Sequence, residues 1–404
     1  MERIIVGIDV GTTKVCTLVG EVSEEGVLSI VGVGVVPSRG LRKGVVVDVN
    51  EATDVIATSV DRAERFSGYH IERAYVGIAG GHISSLNSRG VVAVSHDSIT
   101  QSDIDRALET AQAIAIPHNR QILHIIPRGF VVDGQDGVRD PIGMRGFRLE
   151  VEAHIITGGV ASIHNLVKCI QGAGVEVEDL ILAPLASSEA VLTAAEKDMG
   201  VVLADIGGGT TDIAIFVEGS IWHSSVLPIG GNHLTNDVAI GLRTPFANAE
   251  DIKVRYGYAI PNHIPPGETF DFNAFGEGSR QSISRRFLSE ILEARAAEIF
   301  SLILQEVKRS GYDGLLPAGV VLSGGVANLA GFKELGREVL QLPVRVGAPH
   351  GLEGLVDIIS NPAYATGVGL LLWGMKHAEA APPSPSGDPI RRFIRWLKKA
   401  FFPG

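Results

Sequence analysis

Cysteine is scarce in this 404-residue chain, which contains only Cys16 and Cys169. Two cysteines cannot form the disulfide framework of a small secreted protein, so we expect a reducing compartment. The sequence also has no run of about 20 apolar residues, and no membrane-spanning helix is predicted. Aromatic residues make up only 6% of the chain, whereas 49 residues are glycine. We therefore expect many tight turns and close backbone approaches, as in α/β proteins.

Basic residues are too few for a broadly cationic surface. The 35 lysines and arginines stand against 46 aspartates and glutamates, which gives a net charge of −11. We therefore expect no nucleic-acid partner. The charge is unevenly distributed, because residues 389–404 contain five basic residues and no acidic one.

Two segments resemble each other, IIVGIDVGTTKV at residues 4–15 and VVLADIGGGTTDI at residues 201–213. Each has an apolar run, an aspartate, glycine, a pair of threonines and a second apolar run, which predicts a strand–turn–strand unit. The two aspartates are 196 residues apart, about half the chain, so the sequence predicts two related halves. We name the two turns loop 1 (residues 9–14) and loop 2 (residues 205–211).

Both loops suit phosphate binding, because glycine lets the backbone approach phosphate oxygens while N–H and hydroxyl groups donate to them. An aspartate at the strand end can hold a hydrated Mg²⁺, a role that falls to Asp9 and Asp205, and Lys14 adds a positive charge. Loop 1 alone could equally be an ordinary turn, but its second copy favours a cleft that clamps a triphosphate. The candidate residues are Asp9, Gly11, Thr12, Thr13, Lys14, Asp205, Gly207, Gly208, Gly209, Thr210 and Thr211.

A third glycine turn, SGGVANLAG at residues 323–331, follows an apolar run and opens a helix; we name it loop 3. Its glycines suit the close approach of a flat ring or a ribose. Glu250 and Lys253 lie at i, i+3 on one predicted helix face, where adenosine binding and a solvated salt bridge are both open.

The periodicity of the remaining chain predicts helices over residues 100–115, 184–197 and 282–310. Residues 84–162 interrupt the first half with a strand–helix–strand–strand pattern, which indicates an inserted domain. Residues 378–388 are rich in proline, serine and alanine and are typical of a flexible linker.

Residues 389–402 are predicted to form an amphipathic helix. The apolar positions follow helical spacing on one face, with Trp396 near the boundary, and are Ile390, Phe393, Ile394, Leu397 and Phe401. The basic positions take the flanks and the opposite face, and are Arg391, Arg392, Arg395, Lys398 and Lys399. This pattern is typical of a helix that lies in the plane of an anionic membrane surface; docking on the protein's own body is the alternative.

The ordered set GIDVGTTK, DIGGGTTDI and LSGGVANLAG resembles the two phosphate loops and the adenosine loop of the actin/Hsp70/sugar-kinase superfamily. APLASSEAVL (183–192) and AYATGVGLLL (363–372) resemble its two connecting helices. Within that superfamily the chain is similar, over nearly its whole length, to the FtsA family of bacterial cell-division proteins. Residues 84–162 resemble the IC domain of that family, and residues 231–257 resemble its IIA-to-IIB segment. The nucleotide-binding residues that we add on this basis are Gly231, Glu250, Lys253, Gly324, Gly325 and Asn328.

The resemblance implies an α/β, actin-like ATPase fold with two related halves, each containing a mixed five-stranded sheet and helices, together with an inserted IC domain and a C-terminal amphipathic helix. The implied subdomains are IA (1–83 with 163–197 and 360–377), IC (84–162), IIA (198–240 with 319–359) and IIB (241–318). The linker (378–388) and a membrane-targeting helix (389–404) follow.

The resemblance also implies ligands and partners. ATP and Mg²⁺ would bind in the cleft, and the protein would form filaments on the cytoplasmic side of the cell membrane at the division site. It would anchor the division protein FtsZ by that protein's C-terminal tail and recruit later division proteins through the IC domain. An acidic, partly apolar tail would suit Arg285, Arg286 and Arg295 on the long helix of IIB, although salt bridges to neighbouring glutamates are equally open.

ATP hydrolysis is expected to be slow at most, and no catalytic residue is assigned. Polymerising relatives place Gln or Glu in the first connecting region to orient the attacking water. Ala183 occupies that place here, and Glu189 lies about a turn and a half further along the predicted helix, on another face. A small-molecule (sugar-type) kinase, with Asp205 as base, and an actin-like pilus-assembly scaffold are the alternative functions, but neither requires a basic amphipathic tail.

Overall fold

The computed structural model describes residues 3–275 and 280–377. The first half opens with three antiparallel strands, which α1 partly covers. Helix α1 begins where the Asp48 carboxylate accepts hydrogen bonds from the N–H groups of Asn50 and Glu51, and it ends at Gly68, whose φ is 78°. The elements are β1 (Arg3–Val10), β2 (Lys14–Val22), β3 (Leu28–Pro37), β4 (Leu41–Arg42), β5 (Val45–Val46), α1 (Val49–Ser67) and β6 (Arg73–Ile78).

The next segment forms a separate antiparallel sheet in the order β7–β10–β8–β9, with a helix on one face. The helix packs closely because Gly90 has no side chain: a Cβ there would overlap the Ala107 carbonyl oxygen. We call this segment the insertion. Its elements are β7 (Ser84–Ala93), α2 (Gln101–Gln112), β8 (Arg120–Val132), β9 (Gln135–Val138) and β10 (Arg148–Gly159).

The chain then returns to the first sheet and crosses to the second half. The crossing elements are α3 (Val160–Gly172), β11 (Glu176–Leu182), α4 (Ala183–Val191) and α5 (Ala194–Met199). The second half contains β12 (Val201–Ile206), β13 (Thr211–Val217), β14 (Ser220–Leu227), α6 (Gly231–Leu242), α7 (Phe246–Tyr256), β15 (Thr269–Asn273), β16 (Arg280–Ser284), α8 (Arg285–Ser310), β17 (Val320–Ser323), α9 (Phe332–Leu340) and β18 (Val344–Val346). The last elements are β19 (Glu353–Gly354), α10 (Val356–Ile359) and α11 (Ala365–His377).

The two halves have the same sheet topology, which confirms the predicted duplication. The second sheet has the order β14–β13–β12–β17–β18, and the first has the matching order β3–β2–β1–β6–β11. Strand pairing is equivalent at the level of single residues, because Asp9 pairs with Cys16 and Asp205 pairs with Asp212, each 196 residues later. The first sheet also has a sixth, two-residue strand, β19, beyond the five predicted. Gly354 permits this pairing, since a Cβ there would overlap the Ile30 carbonyl.

A shared apolar core joins the two sheets. It combines side chains from β2, β12 and α11, such as Leu18, Leu203 and Val368, all fully buried. Helices α4 and α11 cross within this core, and the crossing is close because a Cβ on Gly369 would overlap the Ala186 carbonyl. The relative position of the halves, and so of loops 1 and 2, is therefore set by tightly packed helices.

The insertion also contacts the second half. The Ser220 hydroxyl of β14 donates to Pro127 O at 2.8 Å, and a ring nitrogen of His154 is 2.9 Å from the Ser224 hydroxyl. The Arg128 guanidinium lies 4.3 Å from the ring of Trp222 and donates to the Tyr312 hydroxyl at 3.0 Å. The insertion therefore contacts both halves, although its sequence interrupts only the first.

Two predicted helices differ from those observed. The helix predicted over 282–310 begins at Arg285, because residues 282–284 pair with β15. The helix predicted over 184–197 is two helices separated at Leu192, whose φ and ψ are extended; Thr193 and Glu196 then form a capping box that begins α5. The predicted linker (378–388) and membrane helix (389–404) lie outside the described residues, and the division into four subdomains stays a prediction.

Candidate functional site

Loops 1 and 2 contain the same backbone hydrogen bond at equivalent residues. In loop 1 the Gly11 N–H donates to Lys14 O at 3.0 Å, and in loop 2 the Gly207 N–H donates to Thr210 O at 2.9 Å. Each loop is therefore closed by one hydrogen bond between the end of one strand and the beginning of the next. The repeat in the sequence corresponds to a repeat in geometry.

The two loops are in direct contact. A Cβ at Gly208 would overlap the Thr13 hydroxyl, and a Cβ at Gly209 would lie 2.7 Å from the Thr12 hydroxyl. The glycines are thus required by the approach of the facing loop. A ligand between the two loops would have to replace some of these contacts.

Helix α6 begins against loop 2. The Gly231 and Asn232 N–H groups donate to Gly207 O and Gly208 O at 2.9 and 2.7 Å. A Cβ at Gly231 would lie 2.9 Å from Val326 of loop 3, so Gly231 lies between loops 2 and 3. The predicted residue is therefore at the point where the two loops meet.

Loop 3 packs against the end of β12. Gly324 has a φ of 81°, and a Cβ there would lie 2.6 Å from Asp205 Oδ1. Gly325 begins a 3-10 turn, Gly325–Asn328, and the Asn328 amide donates to Asn361 Oδ1 at 2.9 Å. The structure thus brings all three predicted loops together.

Glu250 and Lys253 form the ion pair that the sequence left open, at 2.7 Å. The pair is not simply solvated, because the Lys253 side chain is only 12% exposed and donates to the Thr235 hydroxyl at 2.8 Å. Its Nζ also contacts Gly231 O at 3.4 Å. The pair therefore lies beside the junction of loops 2 and 3.

Three aspartates lie at the strand ends beside loops 1 and 2; Asp205 and Asp212 are buried and Asp9 is partly buried. Burial raises the pKa of Asp9 to about 6, and it raises the pKa of Asp205 despite hydrogen bonds from Ser187 and Thr366. Burial, with the neighbouring charge of Asp205, raises the pKa of Asp212 to about 8. Each carboxyl would release its proton more readily beside a cation, and carboxylate oxygens are ligands that Mg²⁺ prefers. Within the part of the chain that is described, no three His, Cys, Asp or Glu side chains form a group that could hold a metal ion.

Asp212 is the site residue that the sequence reasoning missed. Its Oδ1 is buried without a hydrogen-bond partner among the described residues, while Oδ2 accepts from the Thr210 hydroxyl at 3.2 Å. The repeat alignment contained a signal, because the equivalent position in the first half is Cys16. Packing does not require a carboxyl at this position, because the first copy of the repeat has a cysteine there.

Lys14 does not lie free over loop 1. Its ammonium donates to Ala363 O and lies 3.8 Å from the centroid of the Tyr364 ring. The same turn accepts a hydrogen bond from the Gly324 N–H of loop 3 to Pro362 O at 3.2 Å. The turn before α11 therefore connects loop 1 of the first half with loop 3 of the second.

The Glu189 carboxylate forms ion pairs with Lys197 and Lys376 and not with any residue of loops 1 and 2. These two lysines outweigh the effect of burial and lower the pKa of Glu189 to about 2. Ala183 is the first residue of α4 and is buried. Neither residue provides a group that could orient water at the loops.

The three arginines predicted for partner binding have different environments. Arg285 pairs with Glu268 at 2.7 Å, and Arg295 pairs with Asp237 at 2.5 Å and with Glu298. Arg286 is half-exposed, donates to Asn262 Oδ1 at 2.9 Å, and lies 4.0 Å from Glu290 in a loose pair. The predicted membrane residues all lie outside the described residues. Over residues 3–275 and 280–377, no helix is long and apolar enough to cross a bilayer.

The duplicated sheets, the paired glycine loops and the inserted domain define a protein of the actin-like ATPase fold. The solved structure of a PilM–PilN type IV pilus biogenesis complex has a TM-score of 0.67 to this chain at 14% identity, covering 92% of this chain and 98% of that one. MreB5 of Spiroplasma citri bound to ADP has a TM-score of 0.57 at 15% identity, covering 94% and 99%. Both likenesses concern the fold.

Sequence comparison gives the family. A model described as "Cell division protein FtsA" matches residues 202–369, and one described as "SHS2 domain inserted in FTSA" matches residues 80–157. "Cell division protein FtsA" of Pseudomonas aeruginosa is 46% identical over 410 residues, covering 99% of this chain and 98% of its own. The chain therefore belongs to the FtsA family of cell-division proteins, as the sequence motifs predicted.

Proposed function

We propose that this protein binds ATP with Mg²⁺ between loops 1 and 2 and polymerises on the inner face of the cytoplasmic membrane at the division site. There it anchors FtsZ and recruits later division proteins. The observation that carries the proposal is the contact between two loops that are closed by equivalent hydrogen bonds, each beginning with an aspartate at a strand end. Family membership supports the role in division.

In the proposed complex, adenosine lies between loop 3 and the Glu250–Lys253 pair, and the phosphates extend along loops 1 and 2. Lys14 leaves the turn before α11 to pair with phosphate, and Asp9 and Asp205 hold the cation through water. When bound, Mg²⁺ supplies positive charge that neutralises the phosphate oxygens. ADP in the similar MreB5 structure agrees with a nucleotide in this cleft.

Slow hydrolysis is part of the proposal, because neither Ala183 nor Glu189 provides a group that could orient the attacking water at the loops. Glu189 is held by two lysines away from the loops. We therefore propose that ATP acts mainly as a ligand that controls conformation and assembly.

Membrane attachment is assigned to residues 389–402. Basic residues close to an anionic leaflet contribute about 1 kcal/mol each, so five contribute up to about 5 kcal/mol, weakened by salt. Such an anchor lets single molecules exchange, while a polymer with many anchors stays bound.

Nucleotide binding is tested by Gly208→Val, which places a branched side chain where loop 2 touches Thr13. We expect fluorescent ATP to bind the parent and to lose at least about tenfold in affinity with the variant, because the phosphates and the side chain need the same space. Gly129→Val is the matched control, since a Cβ at Gly129 meets no atom within 4 Å. Equal affinity of parent and Gly208→Val would place the nucleotide elsewhere.

Membrane attachment is tested by sedimentation with vesicles of stated anionic lipid content. We expect the full chain to pellet, and Trp396→Glu or truncation after Gly387 to abolish pelleting while leaving ATP binding unchanged. Neutral vesicles serve as the control for charge. If the truncated protein pelleted as well as the full chain, residues 389–402 would not be the anchor.

A further inference from the structure

A short hairpin contacts both loops of the site. We call residues 38–46 the strap; it contains β4 and β5. Its Ser38 N–H donates to Thr13 O at 2.9 Å, and its Gly44 N–H donates to the Thr12 hydroxyl at 3.0 Å. On the other side, Lys43 Cα would lie 3.1 Å from a Cβ on Gly209. The strap thus touches loop 1 of one half and loop 2 of the other.

The strap is basic. It contains Arg39, Arg42 and Lys43 and no acidic residue, and all three side chains are exposed. None of the three makes a hydrogen bond or an ion pair with any residue that the structure describes. Three unpaired cations beside two loops with phosphate-binding geometry favour a negatively charged ligand at this end of the cleft.

The backbone at Lys43 is strained for its residue type. Its φ is +51°, in the left-handed region that glycine adopts without steric cost, and glycine does occupy the flanking left-handed positions Gly40 and Gly44. Lys43 and Gly44 are the two central residues of the β4–β5 hairpin, and a two-residue hairpin turn of this kind requires a positive φ at both positions. The turn thereby holds the Lys43 backbone directly beside Gly209.

The order of contacts along the cleft identifies which part of a nucleotide lies there. Lys253 and Val326 contact Gly231 at one end, and Gly231 bonds to Gly207. Gly208 and Gly209 follow along loop 2, and the strap contacts Gly209, the last of its three glycines. With adenosine at loop 3, the strap lies beside the last phosphate of the chain.

We propose that Lys43 binds the terminal phosphate of a nucleoside triphosphate and thereby makes the site distinguish triphosphate from diphosphate. The lysine stem has four carbons, long enough to reach across the loop that its own backbone touches. This inference rests on the proposed function, since it requires a nucleotide between loops 1 and 2.

The test uses the full chain with Lys43→Gly, which removes the charge and relieves the strain, and Lys43→Arg, which keeps the charge. Arg243→Gly is the matched control, because Arg243 is also exposed and left-handed, with a φ of +51°, but lies at the end of α6. Dissociation constants for ATP, ADP and adenosine are measured with Mg²⁺ by displacement of a fluorescent nucleotide. Thermal melting of each variant reports folding.

We expect Lys43→Gly to melt no lower than the parent and to bind ATP about tenfold more weakly, with ADP and adenosine within twofold of the parent. Lys43→Arg should keep most of the preference for ATP, and Arg243→Gly all of it. If Lys43→Gly kept the parent's ratio of ATP to ADP affinity, or weakened both nucleotides equally, the inference would be wrong and the proposed function would stand. If the parent bound no nucleotide, both would fall.

Discussion

Residues 16 and 212 occupy the same place in two copies of one strand, but one is a cysteine and the other an aspartic acid. Burial raises the pKa of the Cys16 thiol to about 12 and that of Asp212 to about 8. Both side chains are therefore mostly neutral at pH 7. The Cys16 thiol of the first half stays neutral at slightly alkaline pH, whereas the Asp212 carboxyl of the second half can lose its proton there.

Asp212→Asn is predicted to stabilise the protein at neutral pH. Between pH 3.8, the ordinary pKa, and about pH 8, the folded state holds the Asp212 proton that the unfolded state has lost. Parent stability therefore falls as pH rises through this window, and the isosteric amide removes that loss. Thermal melting should show variant and parent equal near pH 4, with a gap that grows to a few kcal/mol by pH 8 and then stays constant.

The control for this prediction is Asp61→Asn, on the exposed face of α1, where Asp61 pairs with Arg65 at 2.9 Å. Its melting temperature should follow that of the parent across the same pH range. A constant gap between Asp212→Asn and the parent from pH 4 to pH 9 would contradict the raised pKa.

Among single residues, the sequence could predict features that depend on neighbours in the chain. It could not predict contacts between residues that are far apart in the chain. The glycines of loop 2 could be predicted because three in succession have few structural uses. The pairing of Arg295 with Asp237 could not be predicted, because the two residues are 58 positions apart in the chain. Asp212 could have been found only by comparing the two repeats position by position.

Among the elements, α8 carries all three arginines predicted for partner binding, and they differ in exposure and in ion pairing. Arg285 pairs with Glu268 at 2.7 Å and Arg295 with Asp237 at 2.5 Å, whereas the half-exposed Arg286 lies 4.0 Å from Glu290. The next residue on α8, Phe287, is 44% exposed. A loosely paired cation and an exposed apolar side chain on one helix suit the acidic, partly apolar FtsZ tail that we propose as a partner. Arg286 is thus the strongest of the three predicted contacts.

Arg286→Glu is predicted to weaken binding of an FtsZ tail peptide about tenfold, because the charge facing an acidic peptide is reversed. Fluorescence anisotropy of the labelled peptide measures this. Arg255→Glu on α7 is the control, since Arg255 is 69% exposed and its pair with Asp251 is loose, at 3.8 Å. If both variants bound the peptide equally, the tail would dock on another surface.

The boundaries of elements were predictable where a local signal exists. Asp103 accepts hydrogen bonds from the backbone and side chain of Thr100, so a local capping box begins α2 close to the predicted residue 100. Residues 282–284 were assigned to α8 because their apolar spacing continues that of the helix, but pairing with β15 makes them a strand. The pairing of β16 with β15 depends on contacts outside the helix, which helical periodicity cannot reveal.

For the whole molecule, the insertion acts as a bridge. It contacts the second half through the stack of Arg128 on Trp222 and through the hydrogen bonds of Ser220 and His154. Any rotation between the halves must therefore move the insertion or break these contacts. The sequence predicted the insertion but not this bridge, because all of its contacts join residues far apart in the chain.

Arg128→Ala is predicted to loosen the insertion, since a cation over an aromatic face contributes about 1–2 kcal/mol when partly desolvated. Hydrogen exchange should accelerate by about tenfold in β7, β8 and β10, while β12 and β17 keep the parent's protection. Arg139→Ala removes the exposed pair with Asp198, which joins the insertion to the end of α5. Such surface pairs contribute little, so its exchange should match the parent. Equal behaviour of the two variants would mean that Arg128 does not hold the bridge.

Helix α11 also has a mechanical consequence. It is the last described element, it crosses α4 at Gly369, and its final turn is held by the pairing of Lys376 with Glu189. Tension applied beyond residue 377 would pull this helix along its axis through the shared core, where many side-chain contacts must yield together. A load at the edge of a sheet would instead open one hydrogen bond at a time. An anchor at this end of the chain would therefore transmit membrane forces to the core that the two halves share.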